Sequence, residues 1–213
     1  MKRPYALLLP LGFALPAAAS FALTEYVMRI ALDRELPRSY AAMLKLVEGQ
    51  KPKGDDPYAI FTPYAEALRA EPHETVAITA HDGVRLVGHW FEKEKPRRVI
   101  LAAHGWRSTW NRDFCMVSHF WAENDCSVLY IEQRGQGASG GDHIGFGLTE
   151  HADLPDWLRF ITARCGSEIP IYLAGISMGA TTVLMAADQA LPGNVRGIMA
   201  DCGFTSPEAI WRH

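Results

Sequence analysis

Apolar and polar positions follow three different regimes along the chain. From Leu7 to Leu23 apolar residues are nearly continuous, broken by Pro10 and Pro16, and no charge intervenes between Arg3 and Glu25. About 20 apolar residues are enough for a helix to span a bilayer core. Residues 1–32 therefore read as an N-terminal hydrophobic helix with two possible roles. It is either an uncleaved signal anchor continuing through Tyr26–Leu32, or a secretory signal processed near Ala17-Ala18-Ala19-Ser20. Residues 33–72 carry helical spacing in Arg38–Val47 and Tyr58–Leu68. A polar Lys/Pro/Gly/Asp linker over Gly49–Pro57 divides the two, and Pro72 closes the segment.

From residue 73 the period changes. Thr75–Thr79 and Val84–Phe91 alternate around His81-Asp82-Gly83, which predicts a β-hairpin. Val99–Ala103, Ser127–Ile131, Ile169–Ala174 and Val195–Ala200 are short, continuously apolar runs, as expected of strands buried on both faces. Helical segments over Arg112–Glu123, Thr149–Cys165 and Ala180–Ala190 separate them. Alternating strands and helices predict an α/β domain over residues 73–213, with a mostly parallel sheet and helices on both faces.

Composition narrows the function classes. The chain has 213 residues, 48% hydrophobic and 21% charged, with a net charge of −3, which is a globular balance. No basic stripe stands clear of neighbouring carboxylates, so no nucleic-acid partner is expected. Cys115, Cys126, Cys165 and Cys202 lack metal-ligand spacing and read as four buried, inert thiols, with a disulfide the alternative in an oxidising compartment. The glycine-rich run Arg134–Gly141 has neither the Gly-Lys-Ser/Thr ending of a phosphate cradle nor dinucleotide spacing. It reads as a tight loop shaping a cleft floor, and neither cofactor nor metal is expected.

In open α/β sheets ligands bind beyond the carboxyl ends of the strands. Those ends here are His104-Gly105-Trp106, Arg134-Gly135-Gln136-Gly137, Gly175-Ile176-Ser177-Met178-Gly179 and Asp201-Cys202-Gly203. Gly-x-Ser-x-Gly between a strand and a helix is a nucleophile elbow. The serine sits on a strained turn, and the flanking positions must be tiny because strand and helix almost touch. Ser177 is thus the candidate nucleophile. An acyl-transfer oxyanion needs two backbone N–H donors, here expected from Met178 and Trp106. His104 reads as a polar side chain that packs the loop.

The His-Gly after the third strand, the Arg-Gly-x-Gly-x-Ser turn after the fourth and the elbow after the fifth resemble the α/β-hydrolase superfamily. Thr149–Trp157 resembles bacterial serine aminopeptidase-like and membrane-anchored members. The resemblance covers about Glu74 to the C-terminus. It implies a serine hydrolase cleaving an ester, thioester or peptide bond through an acyl-enzyme on Ser177. The alternative is a non-catalytic binding or scaffold protein on the same fold. The resemblance also implies eight strands, with the triad acid after the seventh and the histidine after the eighth. Only six are legible, so the sequence reads as C-terminally truncated, with strands seven and eight and both triad partners missing. Asp201 and His213 are the remaining stand-ins for acid and base, read respectively as a loop-capping carboxylate and an unsupported terminal residue. Three expectations follow: an exposed parallel edge that destabilises the isolated polypeptide, no esterase turnover by this polypeptide, and a membrane-anchored, extracytoplasmic location (or secretion, if the signal is cleaved).

Overall fold

Arg98–Ala103 form a strand whose side chains are buried on both faces. Val99, Leu101 and Ala103 join one apolar cluster, while Ile100 and Ala102 join another. The two-residue repeat of a strand produces this division, and the whole domain is organised around it. The structure, a computed structural model, describes residues 8–50 and 59–212. They fall into two units, 1–51 and 52–213.

In the second unit the strands are β1 (Glu74–Thr79), β2 (Arg85–Phe91), β3 (Arg98–Ala103), β4 (Cys126–Glu132), β5 (Ile171–Ile176) and β6 (Val195–Asp201). They form one sheet in the order β1-β2-β4-β3-β5-β6. The β1–β2 and β2–β4 pairs are antiparallel and the other three are parallel. The expected hairpin is present. Gly83 turns it at φ +89°, and the Val84 N–H donates to Asp82 Oδ1 at 3.2 Å.

The helices of this unit are α3 (Thr62–Ala70), α4 (Trp110–Glu123), α5 (Leu154–Cys165), α6 (Met178–Ala186) and α7 (Pro207–Arg212). Leu154, Trp157, Leu158 and Ile161 of α5 and Val183 of α6 share the first cluster. Ala65 and Leu68 of α3 pack with Trp110, Phe114 and Trp121 of α4 in the second. Helices on both faces of a mostly parallel sheet are therefore the observed architecture.

Some boundaries move. The helix expected over Thr149–Cys165 starts as a 3-10 turn over Glu150–Asp153, and its α-helical part begins at Leu154, just ahead of Pro155. Pro155 lacks an N–H, so it fits the first turn and not a helix interior. The Tyr58–Leu68 helix likewise opens as a 3-10 turn at Ala59–Phe61 before α3, with Pro63 in the first turn. The helix after the elbow spans Met178–Ala186, not Ala180–Ala190. Of the linker expected over Gly49–Pro57, Gly49 and Gln50 belong to the helix that ends at Gln50, and residues 51–57 lie outside the described residues.

In the first unit, α1 (Leu8–Leu32) contains Pro16, and α2 (Arg38–Gln50) follows. Among the described residues no helix is long and apolar enough to cross a membrane. The expected anchor is thus seen only as a helix, and its first seven residues lie outside the described ones. One further expectation is corrected: Cys115 and Cys126 are buried and Cys165 half-buried, but Cys202 is exposed. Cys202 follows β6, which among the described residues pairs with β5 alone and leaves Met199 41% exposed.

Candidate active site

Ser177 joins β5 to α6 with φ +53° and ψ −115°. Such a backbone is costly for a residue with a side chain and persists only when its surroundings over-determine it. Those surroundings are explicit. The Ser177 N–H donates to the Asp201 carbonyl at 2.8 Å, and the Ser177 carbonyl accepts from the Thr181 N–H at 3.1 Å. A Cβ added to Gly175 would strike the Gly179 carbonyl, and one on Gly179 would strike the Ala103 carbonyl. The two glycines let strand, turn and helix approach this closely. The first helical bond closes on Ser177, so the N–H groups of Met178, Gly179 and Ala180 have no carbonyl one turn behind them. They give the helix its partial positive end. Ser177 is half-buried, and among the described residues nothing hydrogen-bonds its hydroxyl.

The His104-Gly105-Trp106 loop lies against the nucleophile turn. A Cβ on Gly105 would stand 3.5 Å from Ser177 Cβ. Asp113 Oδ2 accepts the Gly105 N–H at 2.7 Å, and Asp113 Oδ1 accepts the Ser108 hydroxyl at 2.5 Å. Gln136 Oε1 accepts the Arg107 N–H at 2.6 Å, holding a residue at φ +49°. Asp113 and Gln136, neither singled out in the sequence, therefore fix the loop that carries Trp106. Gln136 belongs to the glycine-rich turn after β4, so that turn supports the loop, but none of its residues is among those lining the cleft over Ser177.

His104 is buried. Its Nδ1 faces the Gly105 carbonyl at 2.8 Å, and its Nε2 accepts the Gln133 N–H at 3.3 Å. Burial holds its pKa below the usual imidazole value. With both nitrogens occupied, it packs the loop as the sequence suggested. Asp201 contributes its backbone to Ser177, but its exposed side chain accepts the Cys202 thiol at 3.2 Å. His213 lies outside the described residues.

Other polar groups are occupied elsewhere. His89 Nε2 and Glu132 Oε1 pair at 2.7 Å, and Glu132 also accepts the Ala138 N–H. Burial works to raise the Glu132 pKa, but the hydrogen bonds from His89 and Ala138 outweigh it and the carboxyl lies below its ordinary value. His81, Asp153 and Asp156 bring potential metal ligands within 4.8 Å of one another. Arg134 grips both oxygens of Asp153, however, and Arg159 pairs with Asp156. Arginine partners make this an ion-pair network that ties the β1–β2 turn to the start of α5. Arg134 also holds the Asp82 carboxyl at a pKa of about 2.

A small cleft of about 230 Å³ opens over Ser177, lined by Trp106, Phe146, Met178, Phe204 and Ile210. Phe146 and Phe204 carry no motif, and sequence reading passed over them.

The family model described as serine aminopeptidase, S33, matches residues 94–209, more than half of the chain. The chain belongs to that family. It is a member of the α/β-hydrolase superfamily, consistent with its sheet order and elbow. No curated protein matches it. Among solved structures, an esterase from Pyrococcus furiosus, Pf2001, is 25% identical with a TM-score of 0.57, over 65% of this chain and 52% of that one. The α/β hydrolase GrgF from Penicillium sp. sh18 is 22% identical with a TM-score of 0.54, over 61% and 45% of the respective chains. An esterase from Exiguobacterium antarcticum is 19% identical with a TM-score of 0.51, over 61% and 46%. The latter two likenesses concern fold alone. This S33-family chain spans about half the length of the solved structures it matches.

Proposed function

We propose that the protein is a serine hydrolase that cleaves an ester, thioester or peptide bond through an acyl-enzyme on Ser177. The observation that carries this reading is the strained Ser177 backbone between β5 and α6, with its hydroxyl at the mouth of a cleft. The Ser177 oxygen attacks the acyl carbon, and the carbonyl electron pair moves onto oxygen. The Met178 and Trp106 N–H groups receive that oxyanion, one at a helix N-terminus and one on the loop held by Asp113 and Gln136. As the tetrahedral intermediate collapses, the leaving group departs with a proton and the acyl group stays on Ser177. A serine hydroxyl is a weak nucleophile without a base, and among the described residues no histidine touches it. The 213-residue polypeptide is therefore proposed to acylate with activated esters and then stall, since deacylation needs the same base. On sequence alone, the apolar N-terminal segment is proposed to hold the domain at a membrane, outside the cytoplasm.

Incubation with p-nitrophenyl acetate tests the reading. The expected result is an acetyl adduct on the Ser177 peptide by mass spectrometry, absent from Ser177→Ala, with no sustained turnover. An unmodified Ser177 would overturn the nucleophile assignment.

A further inference from the structure

The two N–H groups proposed to receive the oxyanion belong to different elements, Trp106 to the loop after β3 and Met178 to the first turn of α6. One buried side chain spans the two. Gln133 directly follows β4, and its amide reaches loop and helix at once. Its Nε2 donates to the His104 carbonyl at 2.5 Å, and its Oε1 accepts the Thr182 hydroxyl at 2.7 Å. The His104 carbonyl can only accept, which turns the amide nitrogen toward it and leaves the amide oxygen for the hydroxyl. Thr182 is also buried, and its hydroxyl lies 3.0 Å from the Met178 carbonyl as well. Its single proton is thus placed between Gln133 and the first residue of α6. The bridge crosses where loop and helix already touch, since a Cβ on Gly179 would stand 2.7 Å from the same His104 carbonyl.

The loop end of the bridge governs the direction of one N–H. The Gln133 backbone N–H donates to His104 Nε2 at 3.3 Å, so Nε2 carries no proton and Nδ1–H donates to the Gly105 carbonyl at 2.8 Å. That carbonyl and the Trp106 N–H belong to one planar peptide unit and point in opposite directions. Holding the carbonyl therefore aims the N–H. The Gln133 carbonyl in turn accepts the N–H of Gln136, whose side chain holds Arg107 on the far side of Trp106. Two donors stabilise an oxyanion only when both are aimed in advance at the point where charge develops. We infer that Gln133 is a positioning residue for acyl transfer: its amide ties the His104 carbonyl to Thr182 and so sets the separation and direction of the Trp106 and Met178 N–H groups. Gln133 acts through these neighbours and not on the substrate. Its removal leaves a buried carbonyl and a buried hydroxyl without these partners, which favours rearrangement of the loop. The inference rests on Ser177 being the acyl acceptor, and the test separates the two claims.

The full chain would be acetylated with p-nitrophenyl acetate carrying carbon-13 at the carbonyl. Release of p-nitrophenolate gives the rate, peptide mapping gives the site, and isotope-edited infrared spectroscopy gives the stretching frequency of the acyl carbonyl. Hydrogen bonds to a carbonyl oxygen lower that frequency, so the band reads the two N–H donors themselves. Gln133→Met and Thr182→Val keep the size of the side chain and remove the bridge. Each should acetylate about tenfold or more slowly than the parent, with the carbonyl band at higher frequency. Thr182→Ser keeps the hydroxyl and should return the band toward the parent position. Should Gln133→Met fail to fold, the two Thr182 variants decide. A parent-like band in folded Gln133→Met or in Thr182→Val, whatever the rate, would overturn the positioning role while the adduct leaves Ser177 as nucleophile. A Thr182→Ser band displaced as far as that of Thr182→Val would overturn it too. Absence of an adduct on Ser177 in the parent would overturn the nucleophile and the positioning role together.

Discussion

β5 and β6 run side by side, paired from Ile171 to Ile176 and from Val195 to Asp201. Each is followed by a non-glycine residue with positive φ, Ser177 at +53° and Cys202 at +55°. The settings differ. β5 has a strand on each side and buried faces, and its turn is wedged between Gly175, Gly179 and the His104–Gly105 loop. Among the described residues β6 has a neighbour on one side only, and its last three residues are exposed, as is Cys202. Close contact over-determines the first turn and leaves the second on the surface. The comparison shows where strain belongs to a site: positive φ alone marks both positions, and tight packing around the residue singles out Ser177.

The sharpest way to break this contrast is to add one methyl group on the elbow side. Gly179→Ala places a Cβ against the Ala103 carbonyl, a backbone collision that neither partner can turn away from. A loss of about 3 kcal/mol or more in denaturant unfolding is expected, or failure to fold. A variant as stable as the parent would show that the elbow is not tightly packed.

A smaller effect concerns His104, which belongs to the same packed region. Burial depresses its folded pKa below the ordinary 6.5. Below that value the unfolded chain binds a proton that the folded chain refuses, so stability is complete above it and falls as pH drops. The denaturation midpoint should therefore decline from about pH 7 to about pH 5. A flat profile across that window would contradict the buried, neutral imidazole.

The edge side should respond least. Cys202→Gly relieves the positive φ while loosening the unfolded chain, and the two terms nearly cancel. The unfolding free energy should move by less than about 0.5 kcal/mol. A loss comparable with that of Gly179→Ala would erase the distinction between the two turns.

The elements most legible in the sequence were those with a period or a motif. All six strands follow from alternation or short apolar runs, and Gly-x-Ser-x-Gly located the elbow because its backbone demands tiny neighbours. The aromatic lining of the cleft was not legible. Phe146 is placed by Glu150, which accepts the N–H groups of the residues on either side of it, and Phe204 by Thr181, 23 residues away. Pairings of a loop residue with a carboxylate or hydroxyl leave no periodic trace. Gln136 escaped notice for a similar reason: its acceptor role toward Arg107 links two loops 29 residues apart. Burial of Cys202 does not follow from residue type: the thiol is exposed beside the last three residues of β6, which are exposed as well.

The central claim is that one hydroxyl, that of Ser177, is presented for acyl transfer. Prolonged incubation with a fluorophosphonate followed by peptide mapping tests it most directly. The expected result is a single phosphonylated site at Ser177, lost in Ser177→Ala. Label spread over other serines with Ser177 unmodified, or no label at all, would contradict it.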